Sequence, residues 1–145
     1  SDSPGKSFES FGFSHQEMAN MVVKLLKDIG LTTNFARLVL ILGHGSSSLN
    51  NPHESAYNCG ACGGGRGGPN ARAFAWMANN EDVRKLVKQL GVNIPDDVHF
   101  IGGFHNTCSE RIEFFDLDHV PNSHRQAFRD MEQSLIEARR RNAHE

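Results

Sequence analysis

Imidazole and thiol side chains are concentrated between residues 42 and 62, in the stretch LGHGSSSLNNPHESAYNCGAC. Four of them could bind a metal ion: His44, His53, Cys59 and Cys62. Imidazole nitrogen and thiolate sulfur are ligands that zinc prefers, and a tetrahedral site needs three or four such groups. Cys59 and Cys62 form a C-x-x-C pair, but no second pair follows at zinc-finger spacing. The pattern therefore favours an open site with ligands from different strands.

The candidates differ in the roles that their surroundings favour. The dense polar loop favours His44 and Cys59 as metal ligands over a hydrogen-bonded histidine and a buried thiol. His53 and Glu54 are more typical of groups that stabilise the loop or hydrogen-bond to a ligand. Two further cysteines are expected to be small buried thiols: Cys62 and Cys108.

Two apolar runs predict buried strands that position these groups. Residues 37–42 read RLVLIL and residues 98–104 read VHFIGGF. A strand that is apolar on both faces is typical of a parallel sheet covered on both sides. His44 lies just beyond the first run and His105 just beyond the second. Because ligands bind outside the carboxyl ends of strands in open α/β sheets, parallel pairing would bring both histidines to one crevice. There His105 either hydrogen-bonds to a ligand or only ends its strand.

Helical periodicity and capping signals place helices around these strands. Ser14 and Glu17 fit a capping box, and Pro69 suits the first position of a second helix. The predicted helices cover residues 14–29, a segment starting at 69, 81–90 and 123–141, and a short third strand is expected over 111–117. The class is α/β, with a parallel-type sheet and flanking helices. Residues 14–145 are expected to form a single domain or a fragment of one, behind a polar lead-in over 1–13.

Two polar segments have open interpretations. GGGRGGPN, residues 63–70, could let its backbone and Arg66 approach an anion, or could be a tight connection packed under a neighbour. It is not a Walker loop, because no G-K-[ST] follows. Asp116, Asp118 and His119 could bind a cation, but polar residues at the start of the last helix are the favoured account.

Composition excludes several classes of protein. The chain has 145 residues and a formal net charge of -2, which argues against a nucleic-acid partner. No apolar run approaches a membrane span, and the first residues lack the core of a signal peptide. Three cysteines, two of them three apart, favour reduced thiols or metal ligands in a cytosolic setting over a disulfide framework.

Three long motifs closely resemble the DabA family of inorganic-carbon transporter subunits. They read GHGSSSLNNPHESAYNCGACGGGRGGPNARAFAWMAN, IPDDVHFIGGFHNTC and FFDLDHVPNSHRQAF. The likeness runs from about Phe13 to the end of the chain. Since DabA proteins are large, it implies a fragment from the C-terminal half of such a subunit, with part of a module similar to β-carbonic anhydrases.

The resemblance also implies zinc chemistry. The second pair of zinc ligands in those enzymes follows a strand, with the histidine in a Gly-His pair and the cysteine in a Cys-Gly-Ala run. Gly43-His44 after the predicted strand and the later Cys59-Gly60-Ala61 match this pattern, so the resemblance implies that His44 and Cys59 are zinc ligands. The first pair belongs to a C-x-D-x-R motif that is absent here, so the chain carries half a site and is expected to be inactive in isolation. His105 and Arg66 remain candidates for hydrogen bonding to a ligand or for anion binding.

For the whole subunit, the family implies zinc-dependent hydration of CO2 to bicarbonate, coupled to a cation-translocating membrane partner, DabB. The expected location is peripheral, on the cytoplasmic face of the bacterial inner membrane. The expected partners of this segment are DabB, CO2 or bicarbonate, and the remainder of DabA with its C-x-D-x-R motif. Two alternatives stay open: a non-enzymatic anion-binding module, and an interaction fragment without chemistry of its own.

Overall fold

The computed structural model describes residues 12–45 and 70–144. These residues form an α/β arrangement of helices around a small sheet, and its elements follow in chain order: α1 (His15–Asp28), β1 (Leu38–Gly45), α2 (Ala71–Asn79), α3 (Glu81–Gln89), β2 (His99–Asn106), β3 (Ile112–Phe114), short 3-10 turns at Leu117–His119 and Asn122–His124, and α4 (Arg125–His144).

The sheet has the order β1-β2-β3 and is mixed. β1 and β2 pair in parallel from Leu38 opposite His99 to Gly45 opposite Asn106, which confirms the predicted α/β class with parallel strands. β3 pairs antiparallel with β2. It is shorter than the predicted 111–117, because Glu110 and Asp116, with φ of 58° and 56°, break the extended backbone on either side.

The helices begin where side chains can cap them. Ser14 and Glu17 form the predicted capping box of α1. The prediction that Pro69 opens the second helix is wrong: α2 begins at Ala71, because the Asn70 side chain accepts a hydrogen bond from the N–H of Ala73. Asn80 caps α3 in the same way.

The core lies on the face of the sheet that α2 covers, with α1 and α3 packed behind. Phe74 of α2 and Phe100 of β2 are fully buried, with their ring centroids 5.9 Å apart. Gly102 permits this packing, because a Cβ there would lie 2.7 Å from the carbonyl oxygen of Ala71. The helices behind add further buried apolar side chains: Met18, Val22, Leu26, Val83 and Val87.

The last helix, α4, begins two residues later than predicted, after the turn that ends at His124. The His124 side chain is buried and hydrogen-bonds the carbonyl of Asp97 and the hydroxyl of Ser123. Phe128 contacts the ring of Phe114 in β3, with ring centroids 5.2 Å apart. This ring contact joins the helix to the sheet.

Within residues 12–45 and 70–144, no helix combines the length and the apolar character that crossing a bilayer requires.

Candidate metal centre

His44 and His105 lie side by side at the carboxyl ends of β1 and β2. They are direct partners in the parallel register, so their side chains project from the same face of the sheet. Their Nδ1 atoms are 3.3 Å apart, and their rings are nearly perpendicular, at 86°. The expectation that parallel pairing brings these two histidines together is therefore confirmed.

The strands extend further than the apolar runs predicted. β1 continues to Gly45 and β2 to Asn106, so both histidines belong to strands rather than to the loops beyond them. The N–H of Thr107 donates to the carbonyl of Gly45, which continues the pairing past the histidines. His44 is exposed and His105 is half-buried, so the paired strands leave both imidazoles at least partly accessible to solvent.

The turn after β2 is held by Asn106. Its side-chain oxygen accepts hydrogen bonds from the N–H groups of Cys108 and Ser109, at 2.9 and 3.3 Å. The prediction of a buried Cys108 is wrong, because the thiol lies in this turn and is exposed. Its exposure leaves Cys108 without the packing role that the sequence suggested.

The other predicted site residues lie outside the part of the chain that the structure describes. They belong to the segment between β1 and α2: His53, Glu54, Cys59, Cys62 and Arg66. The roles of Cys59 as a zinc ligand and Arg66 as an anion contact therefore stay predictions. The described part of the candidate centre is the histidine pair.

A second polar pair lies on the face of the sheet that α2 covers. The Arg72 guanidinium donates from Nε and Nη2 to the two carboxylate oxygens of Asp116, at 2.9 and 2.8 Å. The hydrogen bonds to Asp116 raise the pKa of Arg72, although partial burial opposes them. The guanidinium carbon also lies 5.6 Å from the ring centroid of Phe115. Sequence reasoning missed this pair, because its members are 44 positions apart.

The prediction that Asp116, Asp118 and His119 start the last helix is wrong, because they form a turn between β3 and α4. Their ligand atoms lie within 4.8 Å of one another, close enough for a cation. Both oxygens of Asp116 already bind Arg72, and the other two side chains are exposed. The ion pair accounts for the arrangement without a metal.

A cleft lies at the other end of the sheet, at the amino end of β2. It has a volume of about 670 Å³ and is lined by both cations and carboxylates, among them Arg84, Lys88 and Asp97. His99 faces it, and burial together with nearby His124 and Arg84 lowers the pKa of His99 to about 4. The mixture of charges favours no single ligand, so the histidine pair stays the candidate site.

The fold and its paired histidines define an α/β domain whose imidazoles converge at the carboxyl edge of a parallel strand pair. Residues 2–145 match the family described as "Probable inorganic carbon transporter subunit DabA". "Probable inorganic carbon transporter subunit DabA 2" of Rhodopirellula baltica is 55% identical over 99% of this chain. The Methylococcus capsulatus protein with the name "Probable inorganic carbon transporter subunit DabA" is 48% identical over 92%. The chain belongs to the DabA family of inorganic carbon transporter subunits.

The chain spans about an eighth of these relatives, 13% of the first protein and 12% of the second. No solved structure matches it. The likeness to part of a β-carbonic anhydrase therefore stays a prediction.

Proposed function

We propose that this chain supplies His44 and Cys59 to a zinc centre that hydrates CO2 within an inorganic carbon uptake pump. The zinc ligands on the remainder of the subunit would come from its C-x-D-x-R motif. The pump would also need a DabB-like membrane partner, with the subunit peripheral on the cytoplasmic face of the inner membrane. The family assignment supports the transport role.

The observation that carries the proposal is the position of His44. It lies at the carboxyl end of a parallel strand, with its ring exposed beside that of His105. This is the edge where α/β sheets bind ligands. Imidazole nitrogen is a ligand that zinc prefers. Zinc bound by imidazole and thiolate would lower the pKa of its bound water and so supply a nucleophile at neutral pH.

The described residues have a defined task in this function. The ladder between β1 and β2 fixes the backbone of His44, so that only its side chain has to be oriented when metal binds. Two ligands alone seldom hold zinc tightly. We therefore expect weak zinc binding by this chain and strong binding by the full-length subunit.

The test measures bound zinc and bicarbonate accumulation in the full-length subunit expressed with its membrane partner. His44→Ala and Cys59→Ala should each abolish accumulation and remove most of the zinc. Two control variants, Cys108→Ser at the exposed turn thiol and His119→Ala at an exposed histidine, should preserve both. Full zinc occupancy in both ligand variants would refute the assignment.

The anion-binding part of the proposal concerns Arg66. If Arg66 helps to hold bicarbonate, Arg66→Ala should reduce accumulation while zinc occupancy is preserved. Unchanged accumulation would remove Arg66 from the site. Phosphate or sulfate binding that survives Cys59→Ala would instead support a non-enzymatic anion-binding module.

One observation favours an additional role as an interaction segment. β1 forms an edge of the described sheet, yet its Leu38, Val39 and Leu40 are only half-buried. A strand that is apolar on both faces is typically buried on both. We propose that this part of β1 packs against the remainder of the subunit.

Hydrogen exchange can test the packing of β1. The amides of Leu38–Leu40 should exchange more slowly in the full-length subunit than in this chain alone. The amides of Val22 and Leu26 in α1, which are already buried, serve as the internal control. Equal exchange of β1 in both forms would contradict the interaction role.

A further inference from the structure

We propose that His105 positions His44 by accepting a hydrogen bond from its Nδ1–H, so that the Nε2 of His44 is the metal-binding nitrogen. The inference rests on the proposed zinc function and assigns His105 a specific task in it. His105 is thus a positioning residue, which acts on the metal through His44.

The backbone holds the two rings in register. His44 and His105 are direct partners in the β1–β2 ladder, and β2 is paired on its other side as well, where Ile112 of β3 lies opposite His105. The His105 backbone is therefore fixed by strands on both sides. The Nδ1 atoms are 3.3 Å apart, within the range of a hydrogen bond.

Proton counting decides which nitrogen is left for the metal. A neutral imidazole carries one N–H, so this contact is a hydrogen bond only when one of the two Nδ1 atoms is protonated. A histidine that binds metal typically donates its other ring N–H to an acceptor, which fixes the tautomer and the ring orientation. If His44 is the donor, its Nε2 keeps a free lone pair, and His105 carries its own proton on Nε2.

A competing arrangement gives a similar distance. Two nitrogens bound to one tetrahedral zinc would lie about 3.3 Å apart, given zinc–nitrogen bonds of about 2.0–2.1 Å. In that case both Nδ1 atoms would be ligands and neither would carry a proton. The two arrangements use different nitrogens of His44, so nitrogen spectroscopy separates them.

The first test is the tautomer of each histidine in this 145-residue chain without metal. Long-range ¹H–¹⁵N correlation should show His44 protonated on Nδ1 and His105 protonated on Nε2. His105→Phe keeps an aromatic ring at this position but removes the nitrogen acceptor. The tautomer of His44 with its proton on Nδ1 should then no longer be favoured. A proton fixed on Nε2 of His44 in the unsubstituted chain would overturn the proposal.

The second test is zinc affinity of the full-length subunit, measured by chelator competition. His105→Phe should weaken binding about 10- to 100-fold, the usual effect of losing the hydrogen-bond partner of a ligand. His105→Gln, which restores an acceptor oxygen, should recover part of the loss, and His119→Phe should change nothing.

Unchanged affinity in His105→Phe, or a cadmium-substituted protein with ¹¹³Cd coupling to Nδ1 of both histidines, would refute the positioning role. If the tautomers are as expected but the unsubstituted subunit binds no zinc, the hydrogen bond stands and the zinc function fails.

Discussion

Arg72 and Asp116 join the first turn of α2 to the turn that follows β3 through two hydrogen bonds of 2.9 and 2.8 Å. The two side chains are 33% and 25% exposed, so water screens the pair only in part. Paired hydrogen bonds between a guanidinium and a carboxylate fix direction as well as distance. The pair therefore anchors the start of the helix that follows the predicted zinc-ligand loop.

Asp116→Asn should lower the free energy of unfolding by about 1 kcal/mol, because it removes the charge and one acceptor from a half-buried pair. Asparagine tolerates the positive φ of 56° at this position, so backbone strain does not confuse the result. Urea unfolding measures the change, and a cycle with Arg72→Gln isolates the coupling. Asp118→Asn, at an exposed carboxylate of the same turn, is the control and should have little effect. A coupling of zero would show that the pair does not stabilise the fold.

Gly102→Ala should destabilise the domain by about 1–3 kcal/mol or more, because the new methyl group would lie 2.7–2.9 Å from backbone atoms of Ala71 and Arg72. Backbone cannot rotate away as a flexible side chain can, so α2 would have to move off the sheet. Gly43→Ala is the matched control on the same face, where the nearest atoms would be 3.7–3.8 Å from the Cβ. Equal urea midpoints for the two variants would contradict the close approach of α2.

The fold was predictable where a signal is local. Continuous apolar runs indicated β1 and β2, and their parallel pairing made the meeting of His44 and His105 predictable from chain order alone. The start of α2 was mispredicted because two local signals competed, and the cap at Asn70 prevailed over Pro69. The bond between Asp116 and Arg72 depends on tertiary contact, which residue spacing does not encode.

Asn79→Ala should lower the free energy of unfolding by about 2 kcal/mol. The Asn79 side chain hydrogen-bonds the backbone of β2 at Phe100, where β3 no longer pairs with it. Its amide nitrogen donates to the carbonyl of Phe100 and its oxygen accepts from the N–H of Phe100, both at 2.8 Å. Loss of both partners leaves two backbone groups of a buried residue unsatisfied. Hydrogen exchange of the Phe100 amide should accelerate by more than global destabilisation explains. Asn93→Ala, at an exposed asparagine, should leave that exchange rate unchanged, and protection of Phe100 that survives Asn79→Ala would contradict the assignment.

The domain should lose stability as the pH falls from about 6.5 toward 4, in part through His99. Burial and the neighbouring His124 and Arg84 lower the pKa of His99 to about 4, so it stays neutral in the folded protein while the unfolded chain takes up a proton. Because the unfolded state binds more protons in this window, acid favours unfolding; above pH 6.5 the contribution of His99 is fully present. Urea unfolding of the unsubstituted chain and of His99→Asn at pH 7.5, 6 and 5 measures the effect. The variant should be less sensitive to acid, and an identical decline in both proteins would show that His99 is not the group responsible.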